Sequence, residues 1–147
     1  MQFARWKGAE VIATAGPESF EFLNDVGVDQ VIDYHRERFE QLVHDVDVVL
    51  DPLGGEVQAR SWSTLKRGGM LINLVGELNE SAARKAGVHG VEFGMEYDTE
   101  DLAEIADIVA RGAVKPHIVK VLPLDQARWA LDLNQRNQSH GKIVLEV

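Results

Sequence analysis

The segment VDVVLDPLGGEVQARSWSTLKRGGMLINLVG, residues 46–76, decides the fold of this chain. Its first five residues, 46–50, are apolar except for one aspartate. Such a nearly continuous apolar run is typical of a strand that is covered on both faces of a parallel sheet. A proline and two glycines within residues 51–55 then end the strand. These glycines also leave the backbone open to a close approach by another group.

The second half of this segment predicts a helix and a further strand. Residues 57–65 have the composition of a helix, and we expect Gly68 and Gly69 to end it because glycine adopts left-handed backbone angles. Residues 70–75 predict the next buried strand, which Gly76 closes. A strand–helix–strand crossover of this kind makes the two strands parallel neighbours. Ligands of open parallel sheets bind beyond the carboxyl ends of the strands, so the segment predicts a functional rim at residues 51–55 and 75–76.

The same alternation extends toward the start of the chain and predicts an α/β fold. Short segments indicate, in order, a helix at 3–7, a strand at 10–13, a helix at 20–26, a strand at 30–34 and a helix at 39–43. Strands and helices that alternate with short connections are typical of a doubly wound parallel sheet. The interpretation up to residue 76 is therefore an incomplete Rossmann-like sheet.

Beyond Gly76 the pattern is looser. We expect a short helix at 81–86, a strand at 90–95, a helix that begins at Asp98 or Thr99 and ends at Gly112, and a closing strand–helix–strand tail at 118–122, 125–133 and 142–147. This tail need not belong to the first sheet. The expected domains are residues 1–112, a partial nucleotide-binding domain, and residues 113–147, the tail.

Composition narrows the classes of function. The formal net charge of -9 argues against a nucleic acid or an acidic membrane as partner. The chain has no cysteine, which excludes disulfides and thiolate zinc sites. No run of residues reaches the ~18 apolar residues of a membrane span, and the first residues lack the apolar core of a signal peptide. We expect a cytoplasmic protein.

Several segments, taken in order, resemble the C-terminal portion of a medium-chain dehydrogenase/reductase, in the zinc-independent, zeta-crystallin-like quinone oxidoreductase branch. They are KGAEVIATAG, VGVDQVIDY, DVVLDPLGG with RSWSTLKRGGMLINLVG, RGAVKPHIVKVLPLDQARWALDLN and GKIVLEV. The resemblance implies the nucleotide-binding part of an NADPH-dependent oxidoreductase, with NADH as the other cofactor, acting in its full-length parent on a small-molecule quinone or enone. The alternative is a non-catalytic binding or dimerisation module, or a truncated fragment that binds no cofactor.

The resemblance also implies a missing element. The family's first nucleotide-domain strand and its glycine-rich turn have no counterpart here, so the largest cofactor-anchoring element is expected to be absent. Unpaired buried strand edges are costly, at roughly 1–3 kcal/mol for each unsatisfied group. We therefore expect the second and fourth family strands to pair directly, or another copy to fill the gap. The isolated chain is expected to be inactive, and a homodimer through residues 90–95 is plausible.

Two groups of residues are candidates for cofactor binding. Thr14 and Ala15 follow the strand that presents an acid to the adenosine ribose in NAD-specific proteins, and no acid stands at this strand end, which favours NADPH. Ser19 and Tyr34 could hydrogen-bond a 2'-phosphate, with Arg36 supplying the charge that the loop lacks; alternatively, Ser19 only starts a helix and Tyr34 only ends a strand. The resemblance places Leu53, Gly54, Val75 and Gly76 along the nicotinamide and its ribose, or they merely form turns.

Catalytic and metal-binding residues are not found in the sequence. Asp51 is tempting as an acid or base, but a carboxylate at a strand end more often bonds nearby backbone. The histidines lack the i, i+4 spacing of a helical metal site: His35, His44, His89, His117 and His140. A zinc ion is therefore not expected within this chain, and no catalytic residue can be named from the sequence.

Overall fold

The computed structural model describes residues 1–94, 98–135 and 141–147. The helices of these residues are α1 (Gln2–Trp6), α2 (Phe20–Asp25), α3 (Phe39–Leu42), α4 (Gly55–Ser61), α5 (Glu80–Ala86), α6 (Thr99–Ala110) and α7 (Ala127–Gln135), with 3-10 turns at Pro17–Ser19 and Leu124–Gln126. The strands are β1 (Ile12–Ala15), β2 (Gln30–Asp33), β3 (Val46–Asp51), β4 (Leu65–Asn73), β5 (His89–Glu92), β6 (Ile118–Pro123) and β7 (Lys142–Glu146). The predicted alternation of strands and helices is confirmed.

All the strand pairs of the described residues are parallel, as predicted. They form three sheets with the orders β1–β2, β3–β4–β5 and β6–β7. The tail strands β6 and β7 form a sheet of their own, in agreement with the expectation that the tail need not belong to the first sheet. The second and fourth family strands, which are β1 and β3 here, lie in separate sheets of the described residues, so the first expected way of closing the gap, direct pairing, is not observed. The alternative, that another copy fills the gap, stays a prediction.

The chain divides into two compact units, and each is described by itself. One unit consists of Met1–His35 with Asp98–Val147, and the other consists of Arg36–Tyr97. In the first unit, Val11, Leu23 and Val28 form a core between α2 and the β1–β2 sheet. The Arg5 guanidinium holds both carboxylate oxygens of Asp29, at 2.8 and 2.9 Å. In α6, the Asp98 carboxylate accepts the Glu100 N–H at 2.7 Å, which confirms Asp98 as the cap.

The second unit contains the segment that decided the fold. Its core consists of Trp62, Leu65, Leu71, Ala83 and Val88, and Leu71 in the middle strand is completely buried. Leu65 and Leu71 lie in β4 and Ala83 lies in α5, whereas Trp62 directly follows α4 and Val88 directly precedes β5. Helix α5 and the end of α4 therefore pack against β4. Burial of these side chains provides the hydrophobic stabilisation that orders the crossover.

The other face of the same sheet corrects one expectation. Val48 and Leu50 of β3 are 55% and 58% exposed, and Met70, which lies opposite Val48 in β4, is 37% exposed. The apolar run of β3 predicted a strand covered on both faces, and that prediction is wrong in this structure. An apolar run shows that both faces of a strand are suited to burial. It does not show that a second layer of structure covers the second face.

The predicted end of the helix after β3 is also wrong. Helix α4 ends at Ser61, and Gly68 and Gly69 lie inside β4 instead of terminating a helix. The pairing of β3 with β4 shifts register between Val46 and Val48, and the extra residues form a bulge. A Cβ on Gly69 would lie 2.9 Å from the Lys66 carbonyl oxygen and 3.0 Å from the Asp47 carbonyl oxygen, so a side chain there would force the backbone to shift. The two glycines permit a close approach between the backbones of β3 and β4. The sequence alone does not distinguish glycines with this role from glycines that end a helix.

Smaller differences concern where elements begin and end. Strand β1 spans Ile12–Ala15, so Thr14 and Ala15 are its last two residues and do not follow it. The predicted strand at 90–95 is observed as His89–Glu92. Its last predicted residue, Met95, and the histidine at position 140 lie outside the described residues. No helix in the described part of the chain has the length and apolar character needed to cross a membrane.

Candidate functional site

The rim predicted at the ends of β3 and β4 is present in the structure. Asp51, the last residue of β3, lies opposite Asn73, the last residue of β4, in a parallel register. The Asp51 carbonyl accepts the N–H of Leu74 at 2.9 Å, which carries the pairing to the very end of the sheet. Both strands therefore end at the same edge, and the loops that follow them leave the sheet side by side.

These two loops are in direct contact at Gly54. Its backbone has φ 69° and ψ -163°, a combination that is essentially restricted to glycine. A Cβ on Gly54 would lie only 2.7 Å from the carbonyl oxygen of Val75. Glycine is therefore required at position 54 both by the backbone conformation and by the close approach of the neighbouring loop.

Asp51 organises the first of these loops. It is 1% exposed, and its Oδ1 accepts the N–H of Leu53 at 3.0 Å and the N–H of Gly54 at 2.9 Å. The other carboxylate oxygen, Oδ2, is buried and has no hydrogen-bond partner among the residues that the structure describes. The expectation that Asp51 bonds nearby backbone is thus confirmed. Two bonds to one charged oxygen hold the turn that brings Gly54 against the next loop.

The outer surface of the rim is open and partly apolar. Gly55 and Gly76 have positive φ angles of 56° and 72°, and a Cβ on either would meet no atom of the described part of the chain within 4 Å. Leu53 is 70% exposed and Val75 is 48% exposed. Bare backbone next to apolar side chains fits a flat ring that carries an amide, such as nicotinamide, because the ring packs on the side chains and the amide bonds to backbone.

A polar groove of about 410 Å³ adjoins this rim. Its lining residues are Gly55, Gln58, Glu77, Leu78, Asn79 and Glu80. Two of these carry carboxylates, which would repel the phosphates of a nucleotide. The groove is therefore not suited to the pyrophosphate or the 2'-phosphate of a dinucleotide.

The candidate residues of the first unit form a separate group. Thr14 and Ala15 lie opposite Ile32 and Asp33, and the Ala15 carbonyl accepts the N–H of Tyr34 at 3.4 Å. Tyr34 is 54% exposed, and its ring lies 4.2 Å from the ring of His35. The phenol thus remains available at the end of the sheet.

Ser19 occupies the position of a helix-start residue. Its N–H donates to the Gly16 carbonyl at 3.0 Å within the 3-10 turn that precedes α2. This observation agrees with the plainer of the two interpretations of Ser19.

The position of Glu18 is not among the sequence-based predictions. Its side chain folds back over Gly16, and the carboxyl carbon would lie 2.7 Å from a Cβ built there. A carboxylate is therefore present in the loop after β1, although no acid stands at the strand end itself. The available signal was Pro17, because a proline turn between Gly16 and Glu18 brings residue 18 back toward residue 16.

Gln58 and Asn73 were also missed. Both are buried, at 3% and 2% exposure, and they are hydrogen-bonded to each other at 3.1 Å. The signal in the sequence was an asparagine inside the otherwise apolar segment MLINLV, since a buried amide requires partners.

The described residues do not fit a zinc site. Among residues 1–94, 98–135 and 141–147, no group of three histidine, cysteine, aspartate or glutamate side chains could hold a metal ion. Structural and catalytic zinc sites need three or four such ligands. Of the candidate cofactor residues, the structure brings together Leu53, Gly54, Val75 and Gly76 in one unit, and Thr14, Ala15 and Tyr34 in the other.

Comparisons with known proteins agree with this architecture. The family model described as zinc-binding dehydrogenase matches residues 26–145. A probable zinc-binding mitochondrial oxidoreductase of Arthroderma benhamiae is 30% identical over the whole chain and is matched over 47% of its own length. The NADPH-dependent chloroplastic alkenal/one oxidoreductase of Arabidopsis thaliana is 27% identical over 93% of the chain and 33% of its own length.

A solved structure supports the same fold. The quinone oxidoreductase of Coxiella burnetii superposes with a TM-score of 0.86 at 27% identity, over 99% of this chain and 47% of that one. The chain therefore spans about half the length, or less, of the proteins that it matches.

Proposed function

This chain belongs to the medium-chain dehydrogenase/reductase family through its zinc-binding dehydrogenase model, and from that premise we propose that it binds the nicotinamide half of NAD(P)H at the rim of β3 and β4. The observation that carries the proposal is the contact between Gly54 and Val75, which sets two glycine-containing loops side by side. The exposed backbone of Gly55 and Gly76 leaves room for a ligand at the same edge.

The reaction that we propose is reduction of a quinone or an enone in the complete protein. The relatives support this assignment because one is a quinone oxidoreductase and another is an NADPH-dependent alkenal/one oxidoreductase. When bound, the cofactor supplies the hydride, and the protein binds and orients it. Leu53 and Val75 would pack on the ring, and the Asp51 carboxylate would hold the loop that carries Leu53 in place.

Within the first unit, taken by itself, we propose that the end of the β1–β2 sheet recognises the adenosine ribose of NADPH, with Tyr34 donating to the 2'-phosphate. One observation favours NADH as the second candidate. The Glu18 carboxylate lies over Gly16 and would repel a 2'-phosphate but accept a bond from a free ribose 2'-hydroxyl. The preference between NADPH and NADH therefore depends on how strongly the Glu18 carboxylate repels a 2'-phosphate bound at this loop.

Binding can be tested on the chain itself. NADPH and NADH are titrated separately while tryptophan fluorescence is followed, with AMP as a nucleotide that lacks the nicotinamide. We expect saturable quenching by at least one dinucleotide at micromolar concentration and weaker binding of AMP. Failure of both dinucleotides to give a saturable change would contradict the proposed function.

Turnover by the 147 residues alone is a separate question. We propose that they do not reduce quinones, because they span about half the length, or less, of the oxidoreductases that they match, and because the Asp51 carboxylate at the rim is already bonded to backbone. Oxidation of NADPH in the presence of a quinone should equal the rate without protein. Turnover above that background would overturn this part of the proposal.

A further inference from the structure

Gln58 is the centre of a buried hydrogen-bond network behind the rim. It lies on α4 and is 3% exposed. Its Nε2 donates to the Asn73 Oδ1 at 3.1 Å and to the Glu77 carbonyl at 3.3 Å, and its Oε1 accepts the N–H of Asn79 at 3.0 Å. Both amide N–H groups of Gln58 are therefore used, and two of its three partners lie in the loop between β4 and α5.

Asn73 extends the network to the rim itself. It is the last residue of β4 and is 2% exposed. Its Nδ2 donates to the carbonyl of Gly76 at 2.9 Å, while its Oδ1 accepts from Gln58. The loop of residues 74–79 is thus held at positions 76, 77 and 79 by two buried amide side chains.

These bonds are not needed by the helix or the strand that carry them. Ser61 is equally buried on α4, and its Oγ donates to the Val57 carbonyl of its own helix at 2.8 Å. Among the described residues, the side chain of Gln58 instead bonds to residues outside its helix. A pair of apolar side chains at 58 and 73 would fill the same core without a desolvation cost. What the two amides add is a fixed position for the loop.

We propose that Gln58 and Asn73 are positioning residues that hold the backbone of Val75 and Gly76 in the conformation that receives the nicotinamide. This inference rests on the proposed function, since it assigns a role toward the same rim. A loop fixed before the ligand arrives loses less conformational entropy on binding, so removing the network should weaken only the ligand half that contacts the loop.

The test compares two ligands on the full chain. Gln58→Met keeps the volume of the side chain and removes its hydrogen bonds, and Asn73→Ala is the second variant. The ligands are the dinucleotide that the wild type binds and the matching ADP-ribose or 2'-phospho-ADP-ribose, which lacks nicotinamide. We expect affinity for the dinucleotide to fall about tenfold, the equivalent of one hydrogen bond, and affinity for the analogue to stay within about twofold.

Ser61→Ala is the matched control and should change neither affinity. An equal loss for both ligands, or no loss for either, would overturn the positioning role. Hydrogen exchange provides a readout without ligand: the Asn79 amide should exchange faster in Gln58→Met and unchanged in Ser61→Ala. Unchanged exchange of the Asn79 amide in Gln58→Met would overturn the inference even if the wild type binds a dinucleotide. If the wild type binds no dinucleotide, the proposed function is contradicted, and the positioning role toward the nicotinamide fails with it.

Discussion

Gly54 lies so close to Val75 that a single methyl group would separate the two loops of the rim, because a Cβ at position 54 would be 2.7 Å from the Val75 carbonyl oxygen. The obstacle is backbone, which cannot rotate away as a long side chain would. The rim therefore depends on one glycine for its shape.

Gly54→Ala should destabilise the chain more than Gly55→Ala. Both positions have positive φ, at 69° and 56°, but a Cβ at Gly55 meets no atom within 4 Å. We expect about 1 kcal/mol for Gly55→Ala from the backbone strain alone, and about 2–4 kcal/mol for Gly54→Ala, where a clash is added. Urea denaturation of the two variants measures the difference, and equal losses would show that Val75 moves away freely.

Asp51 should be replaceable by asparagine at a smaller cost than by alanine. Asparagine keeps an oxygen that accepts the N–H groups of Leu53 and Gly54, whereas alanine leaves both without their partner. We expect Asp51→Ala to lower the free energy of unfolding by about 2–4 kcal/mol, and Asp51→Asn by about half as much. Thermal or urea unfolding provides the comparison. If the two variants lose the same stability, the bonds to Oδ1 are not what holds the turn.

Glu18→Gln should shift cofactor preference toward NADPH. Two like charges about 4 Å apart in water repel with about 1 kcal/mol, so removing the carboxylate should improve the affinity for NADPH over that for NADH about fivefold. Glu21→Gln is the control, because it removes the same charge from the exposed surface of α2. The ratio of the two dissociation constants is the readout, and an identical ratio in both variants would mean that Glu18 does not face the ribose.

The pKa of Asp47 should depend on Lys66. A hydrogen bond from the Lys66 ammonium, together with its charge, holds the pKa of Asp47 below the ordinary value of 3.8. Because the folded-state pKa is depressed, the pair stabilises the fold above about pH 4, and this contribution is lost as the pH falls through the folded-state pKa. The contribution is small because both groups are exposed.

In Lys66→Met the Asp47 pKa should rise to its ordinary value, whereas Lys85→Met should leave it unchanged. Carbon-detected NMR titration of the Asp47 carboxyl distinguishes these outcomes. The contact matters for the fold because Lys66 lies in the bulge of β4 and Asp47 in the facing strand β3. An unaltered pKa in Lys66→Met would place the lysine in solvent.

Much of the fold could be predicted from residues 46–76, and the reasons are local. A parallel crossover requires both strands to end at one edge, so the proximity of residues 51–55 to Val75 followed from the order of elements. The exposure of Val48 and Leu50 could not be predicted, because it depends on which layer covers the second face of the sheet. The bulge at Gly68 and Gly69 was not predicted, because glycine is equally suited to the end of a helix and to a close approach between two strands.

The site was predictable as a location but not as a set of contacts. Gly54 and Val75 were identified from their places after two strands. Gln58 and Glu18 were not, because their roles come from side-chain bonds to residues that are distant in sequence or folded back by a turn. A hydrophobic pattern reports burial, and it does not report which buried amide bonds to which carbonyl.

Nitrogen–proton NMR of the labelled chain during a titration with NADPH, and in parallel with NADH, tests the central claim most directly. We predict saturable shifts of the Gly54, Val75 and Gly76 amides with a dissociation constant in the micromolar range, and much smaller shifts in the tail strands β6 and β7. Amides of the rim that do not move at saturating dinucleotide, or shifts that are confined to other surfaces, would contradict the account.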